Sequence, residues 1–158
     1  MVSYLKFLLK STNHHGVHSP FVYNYVTNCL YRKPKLASHK VENVFLKSIS
    51  YFEYKNVHIE DLSFKTKIEN QRTGLHYGVL PLDIVVIKHF SLAMVLKMMV
   101  DAKVHNNTQF LIQDLRNNRN EWSKAISHPQ ISVSIDAYSL GILFIRKEQV
   151  KEHFTIRL

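Results

Sequence analysis

The stretch L-D-I-V-V-I-K, residues 82 to 88, decides the fold. A continuous apolar run of this length is the kind buried on both faces, so it predicts the central strand of a parallel sheet. A helix over 91–103 follows, then the strand T-Q-F-L-I-Q-D-L (108–115), then a helix from about Asn120 to Ser127 that Pro129 ends. Strand, helix, strand, helix is an α/β pattern. Farther on, I-S-V-S-I-D-A-Y (131–138) and G-I-L-F-I-R-K (141–147) lie so close that only an antiparallel hairpin can join them. Upstream, N-V-H-I-E-D-L (56–62) reads as extended, and F-K-T-K-I-E-N (64–70) as a second short extended piece leading through Gly74 and Gly78. Two short helices, 2–11 and 20–31, a basic connector around Pro34 and a third helix, 40–52, come before these. The expectation is one domain over 1–158, with a helical region (1–52) and a sheet core (53–158).

Composition agrees with one domain and a sizeable core, since 46% of the 158 residues are apolar. Twenty-one Lys and Arg against twelve Asp and Glu leave a net charge of +9, so acidic partners such as RNA are physically plausible. The densest basic group is Lys33, Lys35 and Lys40; with Arg32, and interleaved with Tyr23, Tyr25 and Tyr31, it is a candidate nucleic-acid patch for which stacking plus phosphate neutralisation would be the physics. The single cysteine, Cys29, excludes an internal disulfide and falls on an apolar helical face. Residues 4–9 are too short for a signal-peptide core, and the apolar stretch 84–100 is interrupted by Lys88, His89 and Lys97. The expectation is a soluble cytoplasmic protein with no membrane segment.

N-H-H-G-V-H-S-P-F-V-Y (13–23) holds three histidines within five positions. A metal site would want His14 and His18 on one helical face, but Gly16 lies between them, and Ser19 followed by Pro20 is a helix start: Ser caps, and Pro fits the first turn. The spacing therefore predicts a structural corner, with Phe21, Val22, Tyr25, Val26, Cys29 and Leu30 as the buried face.

The N-terminal Y-L-K-F-L-L-K-S-T-N-H-H-G-V-H-S-P-F-V-Y and the C-terminal run from E-W-S-K-A-I to E-H-F-T-I-R-L resemble a bacterial family of class I S-adenosylmethionine-dependent methyltransferases of the O-methyltransferase type. The resemblance implies a reduced Rossmann-like sheet with N-terminal helices and a C-terminal antiparallel hairpin. It also implies sites that this chain lacks. Relatives carry a Gly-rich cofactor turn after the first strand, where N-V-H-I-E-D-L-S-F-K-T-K has no glycine and Asp61 is a degenerate counterpart. Their acid after the second strand, which holds the ribose hydroxyls, has a degenerate counterpart in Glu69, although 61–66 is too short for a crossover helix. A hairpin over 56–70 is the alternative.

Metal-dependent relatives bind a divalent cation through three acids at the ends of the central and following strands. Lys88, Gln113 and Asp114 stand at those positions here, so the resemblance implies no metal site; His89 and His76 are candidate general bases if transfer occurs without metal. The expected function is a methyltransferase-like protein with eroded cofactor and metal sites, acting as a non-catalytic binding or scaffold protein and holding no cofactor. The alternatives are an active methyltransferase using S-adenosylmethionine, and an RNA- or ribosome-binding module. On helix 91–103 the stripe Leu92, Val95, Leu96, Met99 and Val100 satisfies sheet packing, which leaves Met94 and Met98 four apart for a protein partner or a second copy.

Overall fold

In a computed structural model, residues 3–13 and 16–158 are described, and they form a three-layer α/β unit around one seven-stranded sheet. Its strands are β1 (Asn56–Ile59), β2 (His76–Tyr77), β3 (Leu82–Ile87), β4 (Val104–Gln113), β5 (Val133–Asp136), β6 (Leu140–Phe144) and β7 (Glu152–Thr155), in the order β2-β1-β3-β4-β6-β5-β7. Every neighbouring pair is parallel except those made by β6, which is antiparallel to both β4 and β5. The fold is Rossmann-like, with an antiparallel hairpin near its C-terminal end.

β3 lies inside the sheet, between β1 and β4, and is buried on both faces as its apolar run requires, but β4 rather than β3 is the middle strand of the seven. Ile84 and Val86 enter the core on one face of the sheet, and Val85 and Ile87 that on the other. The first core is covered by α2 (Pro20–Tyr25), α3 (Lys40–Tyr51) and α4 (Leu62–Gln71), through Val22, Tyr25, Phe45, Ile49, Phe64 and Ile68. The second is covered by α5 (Leu92–Val100) and α6 (Arg119–Ser127), through Val95, Trp122 and Ala125. Gly141 on β6 leaves room for α6 to pack: a Cβ there would stand 2.7 Å from the Trp122 ring.

The described part of the N-terminal corner opens a helix as expected. Ser19 accepts from the Val22 N–H and Pro20 opens α2, which passes into a π-helical turn, Val26–Leu30, rather than staying α-helical to residue 31. Val22, Tyr25, Val26, Cys29 and Leu30 are all buried, and burial pushes the Cys29 thiol up to about 12 despite the opposing Lys47 ammonium. The first helix, α1 (Tyr4–Lys10), starts on a Ser3 cap.

Several expectations are corrected. Residues 64–70 are not extended, and 56–70 is not a hairpin: the Asp61 side chain accepts from the Ser63 and Phe64 N–H groups, and Phe64 and Ile68, four apart, bury one face of helix α4. The crossover from β1 to its parallel neighbour β2 is thereby completed over residues 62–75, the dozen or more residues such a connection needs. Glu69 consequently lies on α4, paired at 3.7 Å with Lys65, and follows no strand. The expected antiparallel hairpin β5–β6 is present, and β7 follows it, returning parallel to β5 to form the sheet edge. Val100, assigned to the inner stripe of α5, is 84% exposed, whereas Met98 packs on the second core.

Candidate functional site at the carboxyl ends of the strands

β1 leads outward to β2 on one side and β3 leads to β4 on the other, so the chain reverses direction between the carboxyl ends of β1 and β3. In open α/β sheets this is where ligands bind. Side chains of the protein itself occupy the crevice here. Glu60, directly after β1, accepts through Oε2 from the backbone N–H groups of Lys88 (2.6 Å) and His89 (3.0 Å), and its Oε1 lies 3.0 Å from His89 Nδ1. Burial opposes its charge, but those N–H groups and the His89 ring outweigh burial and hold the carboxyl below its usual range. Asp61, next in sequence, caps α4 and receives the Lys88 ammonium at 3.0 Å. The Ser63 hydroxyl, then Lys88, hold this carboxyl down at about 2.

The other side of the crevice is stitched as well. Asn118 donates to the backbone oxygens of Lys88, Gln113 and Asp114 and accepts from the Phe90 N–H, tying the end of β3 to the end of β4. Glu121 reaches from α6 to accept the Leu92 N–H at 2.9 Å in the first turn of α5. Helix N-termini attract anions because their first N–H groups are unpaired and the helix dipole favours negative charge. At α4 and α5 that position is filled by Asp61 and Glu121.

A cavity of about 340 Å³ remains beside the crevice, lined by His39, Lys40, Asp61, Lys88, Gln113 and Asp114 among others. The fold therefore brings together Asp61, Lys88, Gln113 and Asp114, as the aligned strand ends implied, and leaves Glu69 out. Asp114 has left-handed backbone (φ 46°, ψ 53°), which a short polar side chain tolerates better than most, and Asn117 donates to its carboxylate at 2.5 Å. The buried Gln113 Oε1 has no partner among the described residues. Lys40 is spent on the Ala137 carbonyl at 2.9 Å, and burial lowers its ammonium.

Among the described residues, no group of three or more His, Cys, Asp or Glu is placed to hold a metal ion, and His14 of the N-terminal cluster lies outside those residues. His76 faces Asn56 Oδ1 at 3.2 Å where the edge strand β2 begins, level with the amino end of β1 and so at the opposite end of the sheet from the crevice. His89 does have a carboxylate partner, Glu60, the arrangement that orients a general base, but its ring is 82% exposed and does not line the cavity. Glu60, Asn118 and Glu121 escape a sequence reading because each acts on a distant segment. The one local signal is the Asn118-x-x-Glu121 spacing of a capping box, and Glu121 uses its carboxylate on α5 instead.

Of the basic group, Arg32, Lys33 and Lys35 are exposed or nearly so, while Lys40 is half-buried. On α5, Met94 is 37% exposed and Met98 partly buried. No helix among the described residues is long and apolar enough to cross a membrane. Comparison with protein-family models, with curated proteins and with solved structures found no match.

Proposed function

We propose that this chain is a methyltransferase-like protein that has given up catalysis and acts as a cytoplasmic binding or scaffold protein. One observation carries the reading: Glu60 and Asp61 tie the end of β1 to the end of β3 across the crevice a cofactor would enter. An S-adenosylmethionine molecule entering there would have to displace two backbone hydrogen bonds to Glu60, the Glu60–His89 side-chain hydrogen bond and the Asp61–Lys88 ion pair. It would also meet a turn without glycine, where side chains keep the ligand from the backbone. Lys88, standing where the resemblance would put a metal-binding acid, is already neutralised by Asp61 and adds no ligand. Fold alone does not carry activity, so retention of a Rossmann-like sheet is compatible with this loss.

On this reading a protein partner or second copy docks on α5, chiefly at Met94 and the exposed Val100, since Met98 is partly committed to the core. Titration calorimetry with S-adenosylmethionine, and separately with its demethylated product, tests the proposal. The expected result is no saturable heat at micromolar concentrations. Micromolar binding of either compound would overturn it and restore an active methyltransferase.

A further inference from the structure

The positive charge of this protein is not evenly compensated. Ion pairs match Lys65, Lys67, Lys88, Lys97, Lys124, Arg116, Arg119 and Arg146 with carboxylates. Thirteen Lys and Arg have no such pair among the described residues; five of them, Arg32, Lys33, Lys35, Lys40 and Lys47, fall in one segment, the connector between the π-helical turn and α3 together with α3 itself, and the other eight are spread over the rest of the chain.

Two cavities flank that connector, and they share Arg32, Lys33 and Lys47 as a common wall. The first, about 320 Å³, has an apolar side made by Pro34, Leu36 and Tyr51, with Asn28 and Ser50 as polar groups. Leu36 is 49% and Tyr51 38% exposed, so this apolar side is open to solvent. The second, about 280 Å³, adds Lys35, Lys40, Ser38 and Asn43. No Asp or Glu among the described residues lines either one. The connector is held in place: Lys47 donates to the Leu30 carbonyl at 2.9 Å and to that of Arg32, and the Leu36 N–H donates to Asn43. Burial lowers the Lys40 and Lys47 ammonium groups; Asp136 opposes this at Lys40 and Cys29 at Lys47, and the charge of Lys35 lowers both further. Arg32, Lys33 and Lys35 are like charges crowded beside cavities that no carboxylate lines, and a bound anion relieves such crowding.

We propose that this paired cavity binds single-stranded nucleic acid, one base lying against Tyr51 and Leu36 in the first cavity and the flanking phosphates over Arg32, Lys33 and Lys35. The division of labour, an aromatic and apolar surface for a base beside a cationic track for the backbone, is what recognition of single strands requires. An acidic peptide would use the cations but not the Tyr51 side, and a duplex could not present an unstacked base. The inference is independent of the closed crevice, because none of these five cations is needed to close it.

Fluorescence anisotropy with a labelled oligouridylate, a duplex of equal length and inorganic polyphosphate as probes tests it. The single strand should bind best, with log K falling by about 0.7 per phosphate contact per decade of salt. The triple charge reversal Arg32→Glu, Lys33→Glu, Lys35→Glu, at solvent-accessible positions, should abolish binding while circular dichroism stays unchanged. Tyr51→Ala should weaken the single strand by about tenfold and leave polyphosphate alone, whereas Tyr51→Phe should bind as wild type. No saturable binding, or binding indifferent to the triple reversal, would overturn the proposal. So would equal affinity for polyphosphate and single strand with no effect of Tyr51→Ala, which would make the patch a general polyanion surface, or competition by an acidic peptide as strong as by oligouridylate.

Discussion

Asp61 is one side chain with two separate tasks, and they can be pulled apart. It caps α4 through the Ser63 and Phe64 N–H groups, and it receives Lys88 from across the crevice. Asparagine keeps the capping oxygen and loses the charge; alanine loses both. Asp61→Ala should therefore cost about 1 to 2 kcal/mol in urea denaturation and Asp61→Asn clearly less. The sign of the pH dependence follows from the depressed carboxyl. Its contribution is complete above the unfolded value near pH ~4 and disappears as pH falls towards the folded value of about 2. Wild-type stability should accordingly fall more steeply than that of Asp61→Asn across this window. Parallel slopes for the two would remove the ion pair with Lys88 from the account. Local sequence shows neither the tie to Lys88 nor that of Glu60 to His89: the lack of glycine in 56–66 is legible, but what these two acids do instead depends on β3 lying next to β1.

At the scale of elements, α4 and α5 are hard to read from sequence for opposite reasons. Helix α4 carries Lys65, Lys67 and Glu69 among few apolar residues, so its period is faint. Its real signals are local, the Asp61 cap and the Phe64–Ile68 spacing, and both are legible in D-L-S-F-K-T-K-I. Helix α5 has the reverse problem, being apolar nearly all round, so periodicity identifies a helix but not which residues face inward. Only tertiary packing decides that Val95, Met98 and Met99 face the core while Val100 faces solvent. The two methionines should thus separate on mutation. Met98→Glu would place a charge against the second core and lower stability by several kcal/mol, whereas Met94→Glu should change stability by less than about 0.5 kcal/mol. Thermal melts of the two variants check this. If light scattering shows self-association, Met94→Glu should abolish it; equal destabilisation by both would mean that α5 is more deeply covered than its exposure indicates.

For the molecule as a whole, the helical region (1–52) and the sheet (53–158) share the first core: Val22, Tyr25 and Phe45 pack with Val57, Ile84, Leu111 and Phe144. Gln109 on β4 donates to the Tyr25 hydroxyl at 2.6 Å, which in turn lies 2.8 Å from Ser48 on α3, a buried polar chain joining the sheet to two helices. Thr12 bridges to Ile156 beside β7, linking the two ends of the described chain. Regions connected this way should unfold together. Circular dichroism and Trp122 fluorescence, which report on helices and on the second core, should give coincident urea transitions. A helical transition preceding the fluorescence change would instead make 1–52 a separable unit.

What the sequence by itself determined was whatever rests on contiguous residues. The doubly buried strand within 82–88, the Ser19-Pro20 helix start, the buried face from Val22 to Leu30 and the hairpin joining 131–138 to 141–147 each need only local apolar pattern, capping chemistry or a short connection. Tertiary structure decided everything that depends on which strand lies beside which. It placed β7 at the far edge, inserted β6 between β4 and β5, and put Lys88 and His89 within reach of Glu60. It also brought Tyr51 and Leu36 to the same cavity as Arg32 and Lys33. The physical reason is that a carboxylate or an ammonium acts over a few ångströms in space, and sequence separation says nothing about such a distance once the chain has crossed a sheet.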